Sequence, residues 1–202
     1  MARPREFDEK AAIEAAIQCF WRRGYEATSV RDLAASMGIC GTSLYNAFGD
    51  KRALFEQALE RYLDETLRAR IDRLERLKSP KEAMRRFVDE AIARSLADPH
   101  RRGCLLINSA LEVAPHDRQL GERIAERLGE IEGFFRRCLV KAAAAGEIPR
   151  DRHPDDLARL LLAVVLGIRV LARAKPDRDL LEGLARPALA LLDTSSKPET
   201  GK

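Results

Sequence analysis

Strand signals are missing from this sequence. No run alternates Val, Ile or Thr with polar residues, and only 5% of the side chains are aromatic. A β-rich fold is therefore excluded, while the plentiful Ala, Leu, Arg and Glu are good helix formers. Cysteine spacing is lacking too: Cys19, Cys40, Cys104 and Cys138 lie far apart and form no C-x-x-C pair. That argues against a zinc knuckle or disulfide framework and for a reduced, cytosolic chain. The first residues, MARPREFDEK, have no apolar signal core. The most apolar stretch, Leu157–Ala172, is broken by Arg159, Gly167 and Arg169 and is too short for a comfortable membrane span. No G-x-S-x-G elbow, H-E-x-x-H pair or Walker loop occurs. His100, His116 and His153 each fall beside an acid or a proline in predicted turns. No enzyme activity, metal or cofactor is expected.

The 202 residues are 46% apolar and 34% charged, enough for a proper core. The net charge is +4, which permits a polyanionic partner without demanding one. Residues 1–52 hold eight Lys/Arg against seven Asp/Glu, so placement of charge matters more there than its total.

Arg3 and Arg5 flank Pro4 in a short N-terminal arm. Asp8 opens a first helix to about Arg23, with Ala12, Ile13, Ala16, Ile17 and Phe20 on one face and Gly24 as its stop. Ser29 and Asp32 form a capping-box pattern for a second helix that ends at Gly38. A third helix follows Ile39, with Leu44 and Phe48 facing inward and Gly41, Thr42, Tyr45 and Asn46 outward. Asp50 caps a long fourth helix from Lys51 to about Leu77. Thr42 and Tyr45 can donate to phosphates, Asn46 could read a base edge, and Lys51 adds charge to a helix N-terminus.

Over about the first 62 residues the chain resembles the DNA-binding domain of the TetR family of transcriptional regulators. The resemblance rests on Phe20, Gly24-Tyr25, Thr28-Ser29, Leu33-Ala34, Gly38-Ile39, Leu44-Tyr45, Phe48, and Lys51 with Leu54-Phe55. It implies an all-α fold with a helix-turn-helix at 29–48 inside a DNA-binding domain at 6–66. An effector-binding and dimerisation domain then spans 67–193, with a polar tail at 194–202 and about nine helices in all. It further implies that the third helix enters the major groove and that the Tyr and Lys positions hold phosphates. Thr28, Ser29, Gly41, Thr42, Ser43, Tyr45, Asn46 and Lys51 are the expected DNA contacts. Two positions depart from the family: Cys40, a poor cap where Ser is common, and Ala47, where His is common.

The C-terminal part is read from periodicity. Ser79-Pro80 starts a fifth helix that stops at Asp98-Pro99; a short one runs from Cys104 to about Ala114, and a long one from Asp117 to about Ala145. The eighth, about 155–173, is apolar on nearly every side, and the ninth, about 177–192, carries a Leu stripe with Pro187 inside it, where a bend is expected. A two-fold dimer through Leu161, Val165, Ile168, Leu181, Leu184 and Ala188 is expected, reading a palindromic duplex operator. Phe87, Leu96, Cys104, Ile107, Asn108, Leu111, Phe134 and Phe135 either line a small-molecule effector pocket or are packing residues. Cys104 follows Arg101, Arg102 and Gly103 at a predicted helix start, which favours a thiolate. The segment RGCLL also resembles a branch of the family in which a cysteine senses electrophiles or oxidants. A thiol-sensing repressor acting through Cys104, with Cys40 as second candidate, is the alternative to effector release, and a helical scaffold without DNA is a further rival.

Overall fold

Short polar side chains set most helix starts. In the computed structural model, which describes residues 7–149 and 151–193, Asp8 accepts from the backbone of Lys10 and opens α1 (Glu9–Arg23). Ser29 opens α2 (Val30–Met37) through a full capping box with Asp32. Asp50 accepts from the Ala53 backbone at 2.8 Å and opens α4 (Lys51–Leu63). The arm carrying Arg3 and Arg5 and the tail 194–202 lie outside the described residues. Between α2 and α3 (Gly41–Phe48) the chain turns at Gly38, which is left-handed with φ 66°. The Gly38 and Ile39 N–H groups donate back to Ala35 and Ala34, closing the exposed carbonyls of α2.

The remaining elements are a π-helical turn at Asp64–Arg68, α5 (Ala69–Glu75), α6 (Pro80–Leu96), α7 (Leu105–Glu112), α8 (Arg118–Ala144), α9 (Pro154–Ala174) and α10 (Arg178–Ala190). Among the described residues there is no strand, and the π-turn joins α4 to α5 end to end, so ten α-helical segments make nine rods. Sequence periodicity predicts one continuous helix from Lys51; the structure instead inserts a wider turn, in which Ala69 N–H donates to Asp64 C=O. Thr66 Oγ1 donates to the Tyr62 carbonyl at 2.6 Å, drawing that carbonyl off the regular ladder.

By compactness the chain forms two bodies. One holds the residues up to Ala69 together with Cys104–Glu126; the other holds Arg70–Gly103 together with the residues from Arg127 onward. The division differs from the contiguous 6–66 and 67–193 domains expected from the sequence, because α7 and the first turns of α8 pack with the N-terminal helices.

In the first body α1 packs on α2 and α4, and α4 on α7. Its centre is an aromatic cluster in which the Phe55 ring lies 5.1 Å from Phe20 and 4.8 Å from Tyr25. The start of α8 is tied to α4 by Arg52, which donates to Gln119 at 3.0 Å and pairs with Asp117 at 3.1 Å, and by an ion pair between Arg123 and Glu56.

In the second body α9 packs against α6 and α10. Ser79 caps α6 as predicted, and its hydroxyl donates to Glu147 at 2.7 Å. Phe87, Phe134 and Phe135 form a fully buried triad with ring centres 5.0–5.3 Å apart, and the Arg70 guanidinium lies 3.9 Å over Phe87. Arg169, the charge inside the most apolar helix, is used internally: it donates to Ser95 Oγ and to the Gly103 carbonyl. α10 continues through Pro187 to Ala190. Among the described residues, no helix is long and apolar enough to cross a membrane.

The expected dimer contacts need correction. Leu161, Val165, Ile168, Leu181 and Ala188 are buried within the single chain. They form the inward stripes of α9 and α10, packed on their own subunit. The outward stripe of α9 is offset by one residue and runs Leu160, Val164, Gly167, Leu171 at helical spacing, with Leu160 still 39% exposed. On α10 the outward stripe is Leu180, Leu184, Pro187, Leu191. Leu184 alone of the six expected residues belongs to an outward face.

Candidate nucleic-acid interface

Helix α3 has two unlike faces. Leu44 and Phe48 are buried, and Phe48 meets the Phe7 ring at 6.0 Å. Thr42, Tyr45 and Asn46, at i, i+3 and i+4, are exposed, Tyr45 by 53%. None of these three side chains makes a hydrogen bond or ion pair with another described residue. A solvated helix face is ordinarily built from Glu and Lys; this one offers a hydroxyl, a phenol and a carboxamide held ready by a packed opposite face.

Around that face the donors are tied in place. Lys51 Nζ lies 3.5 Å from the Glu26 carbonyl and 4.3 Å from the centre of the Tyr25 ring, so the ammonium is held by a carbonyl and a π face. Gly41 opens the helix, and a Cβ there would meet nothing within 4 Å, which leaves its backbone open to close approach. Cys40 occupies the N-cap without making a capping bond, as its weak acceptor sulfur predicts. Its sulfur instead lies 3.1 Å from Ser43 Oγ, and that hydrogen bond lowers the thiol's pKa.

Two expected contacts behave otherwise. Thr28 is fully buried, and its hydroxyl donates to the Gly24 carbonyl at 2.6 Å. It shapes the α1–α2 turn and presents nothing outward. Ser29 is exposed, but its hydroxyl is engaged with Asp32 both as acceptor and as donor. That box holds the Asp32 carboxyl down to about 2 from the ordinary 3.8, first through the Ser29 hydroxyl and then through the Ser29 N–H and Arg23. Because the folded value lies below the unfolded one, the box's contribution is complete above pH ~4 and is lost as pH falls toward 2. A carboxyl titration followed by NMR should place Asp32 near 2; a midpoint at the ordinary value would mean the box is open in solution.

Arg31 stands outside the expected contacts. It is exposed in the first turn of α2 and has no ion pair with a described residue. The signal was available: a cation in the first helical turn opposes the helix dipole, so it needs another reason to be there.

The eight expected pocket residues divide between the two bodies. Phe87, Leu96, Phe134 and Phe135 belong to one, and Cys104, Ile107, Asn108 and Leu111 to the other. The three phenylalanines and Ile107 are buried, Leu96 and Asn108 are half-buried, and Leu111 is 60% exposed. Cys104 is half-buried at the N-cap of α7, its sulfur 3.7 Å from Tyr62 Oη. Of the other thiols, Cys138 is pushed up to about 11 by burial.

Comparison with known proteins agrees with this geometry. The family model for bacterial regulatory proteins of the tetR family matches residues 12–58, and that for the Tetracyclin repressor-like C-terminal domain matches residues 80–187. YezE of Bacillus subtilis, named as an uncharacterized HTH-type transcriptional regulator, is 36% identical over 96% of this chain and 100% of its own. ComR of Escherichia coli, an HTH-type transcriptional repressor, is 30% identical over 94% of this chain and 90% of its own. Among solved structures, a cysteine mutant of the TetR-family regulator CifR complexed with 26-bp double-strand operator DNA superposes with TM-score 0.84. It is 34% identical and covers 93% of this chain and 98% of that one.

Proposed function

Because the chain belongs to the TetR family of bacterial regulatory proteins, we propose that it is a cytoplasmic, homodimeric transcriptional repressor whose two α3 helices read a palindromic operator. A small-molecule effector taken up by the C-terminal helices releases it, and no catalytic step is involved. The observation that carries this reading is the unpartnered polar face of α3, Thr42, Tyr45 and Asn46, beside the anchored Lys51. Phosphates are held by Thr42, Tyr45, Lys51 and Arg31, and by backbone N–H groups at the open Gly41. Asn46 reads a base edge. Two copies of α3 are brought to adjacent half-sites by a dimer through the outward stripes of α9 and α10. The effector acts by favouring a dimer geometry that no longer fits the two half-sites, a population shift of a few kcal/mol.

Two substitutions separate base reading from phosphate holding. Asn46→Ala should weaken binding to a selected operator about tenfold to a hundredfold and leave binding to unrelated duplex unchanged. Lys51→Gln should weaken both and reduce the salt slope by about one. If both variants bind both duplexes as wild type does, α3 does not face DNA.

A further inference from the structure

The carboxylate of Glu112 occupies a place that no DNA-contacting role explains. Glu112 is the last residue of α7, yet it belongs to the same compact body as α1–α4. Its Oε1 accepts from the Glu26 N–H at 2.8 Å, a contact spanning 86 residues of sequence. The carbonyl of that same residue, Glu26, faces Lys51 Nζ. One residue thus carries the α7 carboxylate on its amide and the phosphate-holding ammonium on its carbonyl.

The turn is built to receive this carboxylate. Gly24 has φ +85°, which favours glycine, and a Cβ there would come within 2.5 Å of Glu112 Oε2. The missing side chain opens the space the carboxylate fills. Thr28 closes the turn from the other side by donating to the Gly24 carbonyl. Lys51 is further fixed by its neighbour in sequence, since Arg52 pairs with Asp117 just beyond α7.

We propose that Glu112 is a positioning residue for DNA recognition: by holding the Glu26 amide it sets the α1–α2 turn and places the Lys51 ammonium for its phosphate. The proposal rests on the reading of α3 and Lys51 as the DNA face. It makes the end of α7 part of the reading apparatus. It also gives any displacement of α7 a direct path to Lys51, because α7 follows Gly103, the residue at which the chain passes from one body to the other.

The test uses the full-length dimer and a duplex selected from random sequence by the wild-type protein, with each preparation titrated for its active fraction. Glu112→Gln keeps an acceptor for the Glu26 N–H and should bind within about threefold of wild type. Glu112→Ala should bind about tenfold more weakly, with a salt slope smaller by about one. A loss of fold stability alone lowers the active fraction and leaves that slope unchanged. In a Lys51→Gln background, Glu112→Ala should cost almost nothing further, because both changes remove one phosphate contact. The proposal is overturned by a wild-type slope in Glu112→Ala, by full additivity with Lys51→Gln, or by an equal loss in Glu112→Gln. A wild-type protein that selects no duplex overturns the DNA reading itself, a distinct outcome.

Discussion

Val164→Asp is expected to turn the dimer into a monomer and to cost on the order of a hundredfold or more in operator affinity. Val164 lies at the middle of the outward stripe of α9, with Leu160 before it and Gly167 and Leu171 after it. Leu160 and Leu171 are exposed and Val164 and Gly167 half-buried in the single chain, and Gly167 allows a second helix to approach closely, since a Cβ there would meet nothing within 4 Å. A two-fold axis across such a helix doubles every change: two carboxylates enter one apolar seam, each without a partner. The loss in DNA binding follows because a monomer holds one half-site and forfeits the effective concentration the dimer supplies for the second. Sedimentation gives the first readout and operator binding the second. The one-residue offset makes the test sharp. Leu161→Ala, on the inward stripe, should instead destabilise the subunit by about 2–5 kcal/mol and leave the assembly of folded protein dimeric. A dimeric Val164→Asp protein would place the interface elsewhere.

Phe134→Ala is expected to destabilise the C-terminal body by about 3–5 kcal/mol. Phe134 is fully buried and touches both other rings of its triad, at 5.0 Å from Phe87 and 5.3 Å from Phe135. Removing it leaves a hole between two rings that are themselves held, Phe87 by the Arg70 guanidinium above it. The site therefore relaxes poorly, which puts the expected cost in the upper part of the range for core truncations. Urea unfolding measures it. A wall residue of an effector cavity would behave differently: its truncation would cost under ~1 kcal/mol and would change the response to effector. The outcome decides between the two roles the sequence allowed for this residue, and the ring packing favours the core.

The contrast between these two sites shows what the sequence could and could not convey. Local chemistry was legible. Ser29, Asp50 and Ser79 announce their helices because a cap and its target lie within three residues of each other. The polar outer face of α3 was legible for the same reason, since a helix fixes which side chains share a face. Facing direction was not legible on α9. A helix apolar nearly all round carries two good stripes, and only the packing of α6 and α10 against one of them determines which is left over. Thr28 was misread because its hydroxyl is taken by a carbonyl that the positive-φ Gly24 turns toward it. The π-turn at Asp64–Arg68 leaves the residue pattern nearly unchanged, so periodicity passes over it. Glu112 could not have been found by any local rule, because its partner amide lies 86 residues away.

Cys40 and Cys104 both sit at helix N-caps without making a side-chain capping bond. Cys40 leaves the α3 N-terminus without a side-chain cap, and Cys104 begins α7, the helix that ends in Glu112.

The central claim is that this chain reads a two-fold symmetric DNA sequence through α3. Selection from a pool of random duplexes by the full-length protein tests it most directly. The account predicts enrichment of a palindrome whose half-site centres lie about one helical turn, or a whole multiple of it, apart. Enrichment should weaken with Asn46→Ala, which loses the base contact, and disappear with Val164→Asp, which loses the partner half. A pool that stays random after repeated rounds, or a selected sequence without two-fold symmetry, would contradict it.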